Sequence, residues 1–243
     1  MKALHPLAGL LVLATALSSC AAPARGSRSS DDTSWYEFAW LRDSPYAPTF
    51  EVLDTESSLG PYAPAPKRIE LGDLVRYHGH ACDGLVTAAA ALWVGLHELY
   101  PDGVIDRTDT GCISNNSPCF GDVSAYLTGG RVRFGTQKID PDRGASFLVH
   151  RFSTGETVEV ELRKGVFPAE LHGLEHKLKS GAFTPEELRR CQREQWDFAR
   201  GLLEHPLDES FQVRRVDGFV WEPDRYEHLG RRGDIINRDA VTP

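Results

Sequence analysis

Basic residues are scarce in this chain: 27 Lys and Arg face 35 Asp and Glu, a formal charge of -8 with a pI near 5.6. A partner held through its phosphates needs a basic surface, so nucleic acid is excluded as a partner on charge. The N-terminal apolar stretch, from about Leu7 to Leu17, falls far short of the roughly 20 residues a membrane-spanning helix needs. Nor is there an internal repeat, which excludes solenoid and propeller architectures. What remains is a chain of 243 residues, 41% of them apolar. That is enough for one principal domain with appendages.

The first residues have the order of an export signal: Lys2, the apolar run, then small side chains. "LSSC", Leu17 to Cys20, resembles the bacterial lipobox, whose cysteine carries the lipid and becomes the mature N-terminus. The expectation is a signal peptide over 1–19, lipidation at Cys20, and anchoring to a membrane of the bacterial cell envelope. Residues 20–34 are small and polar and read as a flexible tether. Residues 35–70, rich in aromatics and proline, read as an N-terminal wrap over the main domain.

Gly84 to Tyr100, "GLVTAAAALWVGLHELY", is apolar on almost every face and predicts a buried helix. "GDVSAYLTGG" predicts a second, stopped by Gly129 and Gly130. Three β-rich segments follow, "RVRFGTQKI", "ASFLVHRFS" and "TVEVELRKG", read as antiparallel strands. Pro168 to Lys179 and Thr184 to Glu204 read as helices, the second opening on the capping pattern "TPEE". "FQVRRVDGFVWEP" reads as a last strand before a charged tail. The fold class expected is α+β, an antiparallel sheet packed against a buried helix and further helices, with the domain over 71–204 and the C-terminal strand and tail over 205–243.

Chemistry concentrates in "RYHGHACDG". His78, His80 and Cys82 alternate, so an extended or tightly turned segment would throw all three to one side. Imidazole with thiolate suits zinc, iron or copper rather than magnesium or calcium. Cys82 precedes a helix, whose N-terminus would lower its pKa. A second cluster, "TDTGCISNNSPCFGD", reads as a loop with two alternatives. Cys112 and Cys119 close a disulfide, or Cys119 joins the first cluster as a metal ligand with Asp122, one helical turn on, as its hydrogen-bonding partner or proton handler. Candidate ligands are therefore His78, His80, Cys82 and Cys119, and candidate catalytic groups Cys82 and Asp122. A coordination position left open would allow hydrolytic or redox chemistry.

Two rival readings stay open: a metal-free thiol protein in which Cys82 reacts while His80 and Asp122 adjust its protonation, and a tethered ligand-binding module with structural cysteines. A third, weaker one is "HGLEH", His172 to His176, which matches the H-x-x-E-H pattern of inverted zinc peptidases. His97 and His150 lie in apolar elements and read as packed.

With these residues in place, the chain from Leu71 to Leu203 resembles the FmdE family of formylmethanofuran dehydrogenase components, whose H-G-H-x-C-P-G motif opens a helix. His78, Gly79, His80, Cys82 and Gly84 match that motif. Cys119, Asp122, Thr128, Gly129 and Gly135 match the family's downstream Cys-x-x-Asp segment. The resemblance implies a mixed α+β domain, often dimeric, with a metal such as zinc near the His and Cys residues. A homodimer is expected, with the small face Ala88 to Ala91 permitting close helix approach. Asp83 stands where the motif has proline. No C-terminal C-x-x-C ribbon is present, Cys191 being alone on a helix. An exported lipoprotein does not fit a cytoplasmic methanofuran enzyme, so the resemblance transfers the fold and not that activity.

Overall fold

The computed structural model describes residues 38–56, 59–60 and 62–222. The expectations for the signal peptide, Cys20, the tether and the charged tail lie outside the described residues. The architecture is mixed α+β. Its centre is α3 (Asp83–Leu99), preceded by α1 (Trp40–Asp43), β1 (Thr49–Leu53), β2 (Lys67–Glu70) and α2 (Leu71–His78). After it come β3 (Val104–Asp106), β4 (Thr110–Ser114), α4 (Pro118–Thr128), a 3-10 turn Val132–Phe134, β5 (Gln137–Ile139), β6 (Ser146–Arg151) and β7 (Thr157–Leu162). The chain continues through α5 (Ala169–Lys179), α6 (Pro185–Leu202), α7 (Leu207–Ser210) and β8 (Phe211–Arg215).

An unbranched, alanine-rich run favours helix and has no polar face to present to water. Accordingly α3 is enclosed by its own chain, packing on β6, β7 and β8 and also contacting α2, α4 and α6. Ala88, Ala89, Ala90 and Ala91 are all fully buried. The expectation that they face a second copy of the chain is therefore corrected: small side chains at these positions let α3 pack closely inside the chain. Gly95 marks the tightest approach to the sheet, where an added Cβ would lie 2.9 Å from Val160 Cγ1.

The sheet beneath α3 has the order β5-β4-β6-β7-β8. β6 pairs antiparallel with both β4 and β7, with Val149 opposite Cys112 and Val158, and β8 closes the far edge antiparallel to β7. The segments 145–153 and 157–165 thus hold the strands expected of them. Residues 131–139 differ. Arg131 enters the 3-10 turn, Gly135 takes the left-handed conformation at φ 66°, and only Gln137–Ile139 is strand, parallel to β4. The interior strand β4, between β5 and β6, lies inside "TDTGCISNN", whose Gly, Asn and Ser content concealed it. Four of its five residues are buried, so it lacks the period-two alternation of a half-exposed strand.

The wrap over 35–70 also contains regular structure. β1 pairs antiparallel with β2 and parallel with β3, which forms a second, three-stranded sheet of order β2-β1-β3. Alternating burial places Phe50 and Val52 in the main core. Further on, α5 and α6 form a hairpin around a small cluster of Leu171, Leu178 and Cys191. The predicted cap of α6 is present: Thr184 accepts from the Glu187 N–H, and the Glu187 carboxylate accepts from the Thr184 N–H.

Candidate metal centre

Three helix ends create the site. α2 is started by reciprocal hydrogen bonds between Glu70 and Asp73 and stopped at Gly79, whose φ of 100° is open to glycine and strained for other residues. Because the helix ends there, His78 sits on its last turn with its imidazole turned inward, only 3% exposed. The chain then reverses through His80 and Ala81 into Cys82, the N-cap of α3, whose sulfur accepts from the Leu85 N–H. The expected geometry of His78, His80 and Cys82 is accordingly the tight turn and not an extended strand. The third end belongs to α4, where Pro118 takes the first position and Cys119 the second. α4 packs against both α2 and α3, bringing a residue distant in sequence onto the first cluster.

The donor atoms converge. Cys82 Sγ lies 3.4 Å from Cys119 Sγ, and His78 Nε2 lies 3.5 Å from Cys119 Sγ and 4.0 Å from Cys82 Sγ. His78, His80 and Cys82 form an overlapping group whose ligand atoms all fall within 4.8 Å, with the His80 ring exposed and 4.4 Å from that of His78. Tetrahedral zinc, with Zn–S near 2.3 Å and Zn–N near 2.0–2.1 Å, requires sulfur–sulfur separations of about 3.8 Å and sulfur–nitrogen separations of about 3.6 Å. The site matches those spacings to within a few tenths of an ångström, so its donor set fits a zinc-type ion. Asp122, one turn along α4, bonds His78 Nδ1 at 2.8 Å. That bond turns Nε2 toward the sulfurs, the orientation a carboxylate gives a ligating imidazole.

Protonation is distributed unevenly over the cluster. The hydrogen bond from Cys82 holds the Cys119 pKa well below its ordinary value, and the neighbouring His78 lowers it further against the cost of burial. Cys82 moves the opposite way, raised by the same shared proton and then by burial, which outweigh the Leu85 N–H. The contact with Cys119 and burial thus oppose the lowering that the Leu85 N–H at the start of α3 does provide as expected, and of the pair it is Cys119 whose pKa is lowered. His78 is pushed up to about 9, chiefly by its bond to Cys119 and further by Asp122, with burial opposing. The directions of these shifts favour a thiolate on one of the paired sulfurs facing a protonated His78.

Gly84 makes this closeness possible. A Cβ there would stand 2.9 Å from Cys119 Sγ and 3.2 Å from Cys119 Cβ. Its steric role was not legible from sequence, because it depends on where α4 lies. The disulfide alternative is not adopted: Cys112 and Cys119 are both free, and Cys112 is fully buried on β4 with its thiol pushed up to about 12 by desolvation. Elsewhere, His97 Nδ1 bonds the Trp93 carbonyl and His150 Nδ1 bonds Thr157 Oγ1, so both are packed as expected. His172 and His176 are exposed on α5, and among the described residues the ligand-type side chains close enough to hold an ion are those of the His78, His80, Cys82 and Cys119 cluster. Among the described residues the peptidase pattern therefore has no third ligand beside it.

Comparison with known proteins agrees with the motif. A comparison with curated proteins finds none that matches. Among solved structures, a tungsten formylmethanofuran dehydrogenase FmdE-like protein from Syntrophus aciditrophicus aligns with a TM-score of 0.43 and 18% identity, covering 68% of this chain and 77% of its own. The family described as "FmdE, Molybdenum formylmethanofuran dehydrogenase operon" matches residues 77–212, more than half of the sequence and the whole of the His/Cys cluster. By that match the chain belongs to the FmdE family.

Proposed function

We propose that the protein binds one transition-metal ion, zinc before iron or copper, through His78, Cys82 and Cys119, with His80 approaching from the exposed side. The observation that carries this reading is the convergence of one imidazole nitrogen and two sulfurs from three helix ends at separations of 3.4, 3.5 and 4.0 Å. A bound ion of this kind supplies Lewis acidity. The chain's own residues do the rest. Asp122 fixes the His78 ring, the α3 and α4 N-termini favour negative sulfur, and Gly84 keeps the cysteines together. Loading requires His78 and Cys82 to release their protons, so affinity rises with pH.

The test is elemental analysis of purified protein, where about one ion per chain is expected. Cys119→Ser or His78→Ala should remove most of it, while His172→Ala and His176→Ala leave it. Asp122→Ala should weaken affinity about 10- to 100-fold without removing a ligand, as loss of a ligand's orienting partner does. A metal-free protein from the native envelope would turn the reading to its rival, a reactive thiol pair. The 3.4 Å sulfur contact and the lowered pKa of Cys119 favour that second reading, with Cys119 and not Cys82 as the nucleophile.

We further propose tethering through a lipid on Cys20. Its support is the "LSSC" sequence after a short apolar run, and no helix among the described residues is long and apolar enough to cross a membrane. Cys20→Ser should move the protein from the membrane to the soluble fraction, and unchanged fractionation would remove the tether from the reading.

A further inference from the structure

Beside the His/Cys cluster a cavity of about 660 Å³ opens between the start of α3, the end of β7 and the α5–α6 hairpin. It shares Cys119 and Gly84 with the cluster, but no chemistry described so far uses it. The volume lies within the range of small-molecule sites, about 300–1,000 Å³. Leu162, Phe167, Leu178 and Leu188 supply an apolar wall. Against this wall stand two carboxylates, Asp83 and Glu175.

Asp83 is the unusual one, a lining residue only 9% exposed. Among the described residues no cation or side-chain donor is paired with it; its partners are backbone amides at Gly84 and at Asp83 itself. Glu175 accepts from Gln195 Nε2 at 2.7 Å and lies 3.7 Å from Lys179, whose side chain is two-thirds exposed. A buried acid of this kind is costly unless a partner neutralises it. Asn115 and Gln192 add hydrogen-bonding groups to the lining, and His172 and the largely exposed Lys179 stand at its hairpin side. An apolar wall facing an unpaired acid is complementary to a molecule with an apolar body and one cationic end.

We propose that this cavity binds a small organic cation, a protonated amine or amidine, its charge held between Asp83 and Glu175 and its apolar body against the leucine and phenylalanine wall. The cavity borders the proposed metal ligand Cys119, but the groups that would hold the cation are Asp83 and Glu175, so the proposal does not require the metal reading to be right. Lys179 already faces Glu175 from the exposed side, so the charge left unmatched in the cavity is that of buried Asp83, which an anion would oppose and a neutral molecule would leave without a counter-charge.

The isosteric series benzamidine, benzamide and benzoate tests the charge rule at nearly constant shape, by calorimetric titration of the full mature chain at pH 7.5. Benzamidinium should bind at least tenfold more tightly than benzamide, with benzoate weakest. Asp83→Asn and Glu175→Gln should each reduce that preference at least threefold. Because Asp83 starts a buried helix, Leu188→Trp provides a second variant that fills the cavity from the hairpin, and it should abolish binding with the circular dichroism unchanged. Equal binding of the three probes, or benzamidinium binding undiminished in Leu188→Trp, would overturn the proposal. Running each titration on chelator-treated and zinc-supplemented protein, with metal content measured alongside, separates the two readings. A protein that holds no zinc yet prefers benzamidinium keeps the cavity and loses the metal site, and the converse result does the opposite.

Discussion

Asp83 shows how one side chain can be read twice. In sequence it is a departure from a motif proline; in the structure it is a buried carboxyl pushed up to about 7, by desolvation first and by Glu175 second. A folded-state pKa above the unfolded value means that protonation favours the fold, so this contribution is complete below about pH 3.8 and is lost as pH rises toward 7. At about 1.4 kcal/mol per unit, the full effect is on the order of 4 kcal/mol as an upper bound. Urea unfolding of chelator-treated protein at pH 5 and pH 7.5 should therefore show the wild type losing stability across the interval while Asp83→Asn, already neutral, loses less. The variant should be the more stable of the two at pH 7.5. A wild type and variant with parallel pH dependence would mean that Asp83 is as ionised in the fold as in the unfolded chain.

Among the elements, two glycines in helices make opposite predictions from the same substitution. Gly95→Ala in α3 gains about 1 kcal/mol of helix propensity but places a methyl 2.9 Å from Val160 Cγ1 and 3.3 Å from its Cβ. Overpacking of a tight core costs about 1–3 kcal/mol, so the melting temperature should fall. Gly173→Ala in α5 meets nothing within 4 Å. It should raise stability by up to about 1 kcal/mol, and differential scanning calorimetry of both variants checks the pair. The same contrast explains which elements the sequence declares. α3, α4, α5 and α6 carry their apolar faces and caps within a dozen or so residues, so local pattern placed them. β4 was missed because a strand buried on both faces shows no alternation, and β1 and β2 because they are short, far apart along the wrap, and β1 is held on its other side by β3, beyond the wrap. The site was legible to the same degree. His78, His80 and Cys82 declare themselves by proximity, whereas the nearness of Cys119 depends on α4 packing against α2 and α3. The sharing of a proton between Cys82 and Cys119 likewise depends on that packing, and no sequence spacing records it.

For the whole molecule, the placement of the ligands at three separate helix ends ties the ion to the fold. His78 closes α2, Cys82 opens α3, and Cys119, 37 residues after Cys82, opens α4. An unfolded chain would have to close that loop before the donors could act together, so the ion binds the native state far better than the unfolded one. Free metal at 100 times its dissociation constant should then add about 2.7 kcal/mol to stability. For a chain of this size that corresponds to roughly 5–10 °C in melting temperature. Zinc titration followed by thermal unfolding should give this rise, growing with the logarithm of free zinc. In Cys119→Ser the rise should be largely lost even though Cys82, His78 and His80 remain, because the link between α4 and the α2–α3 turn is then missing. A melting temperature that ignores zinc in the wild type, or responds equally in Cys119→Ser, would mean that the three helix ends are held together by packing alone.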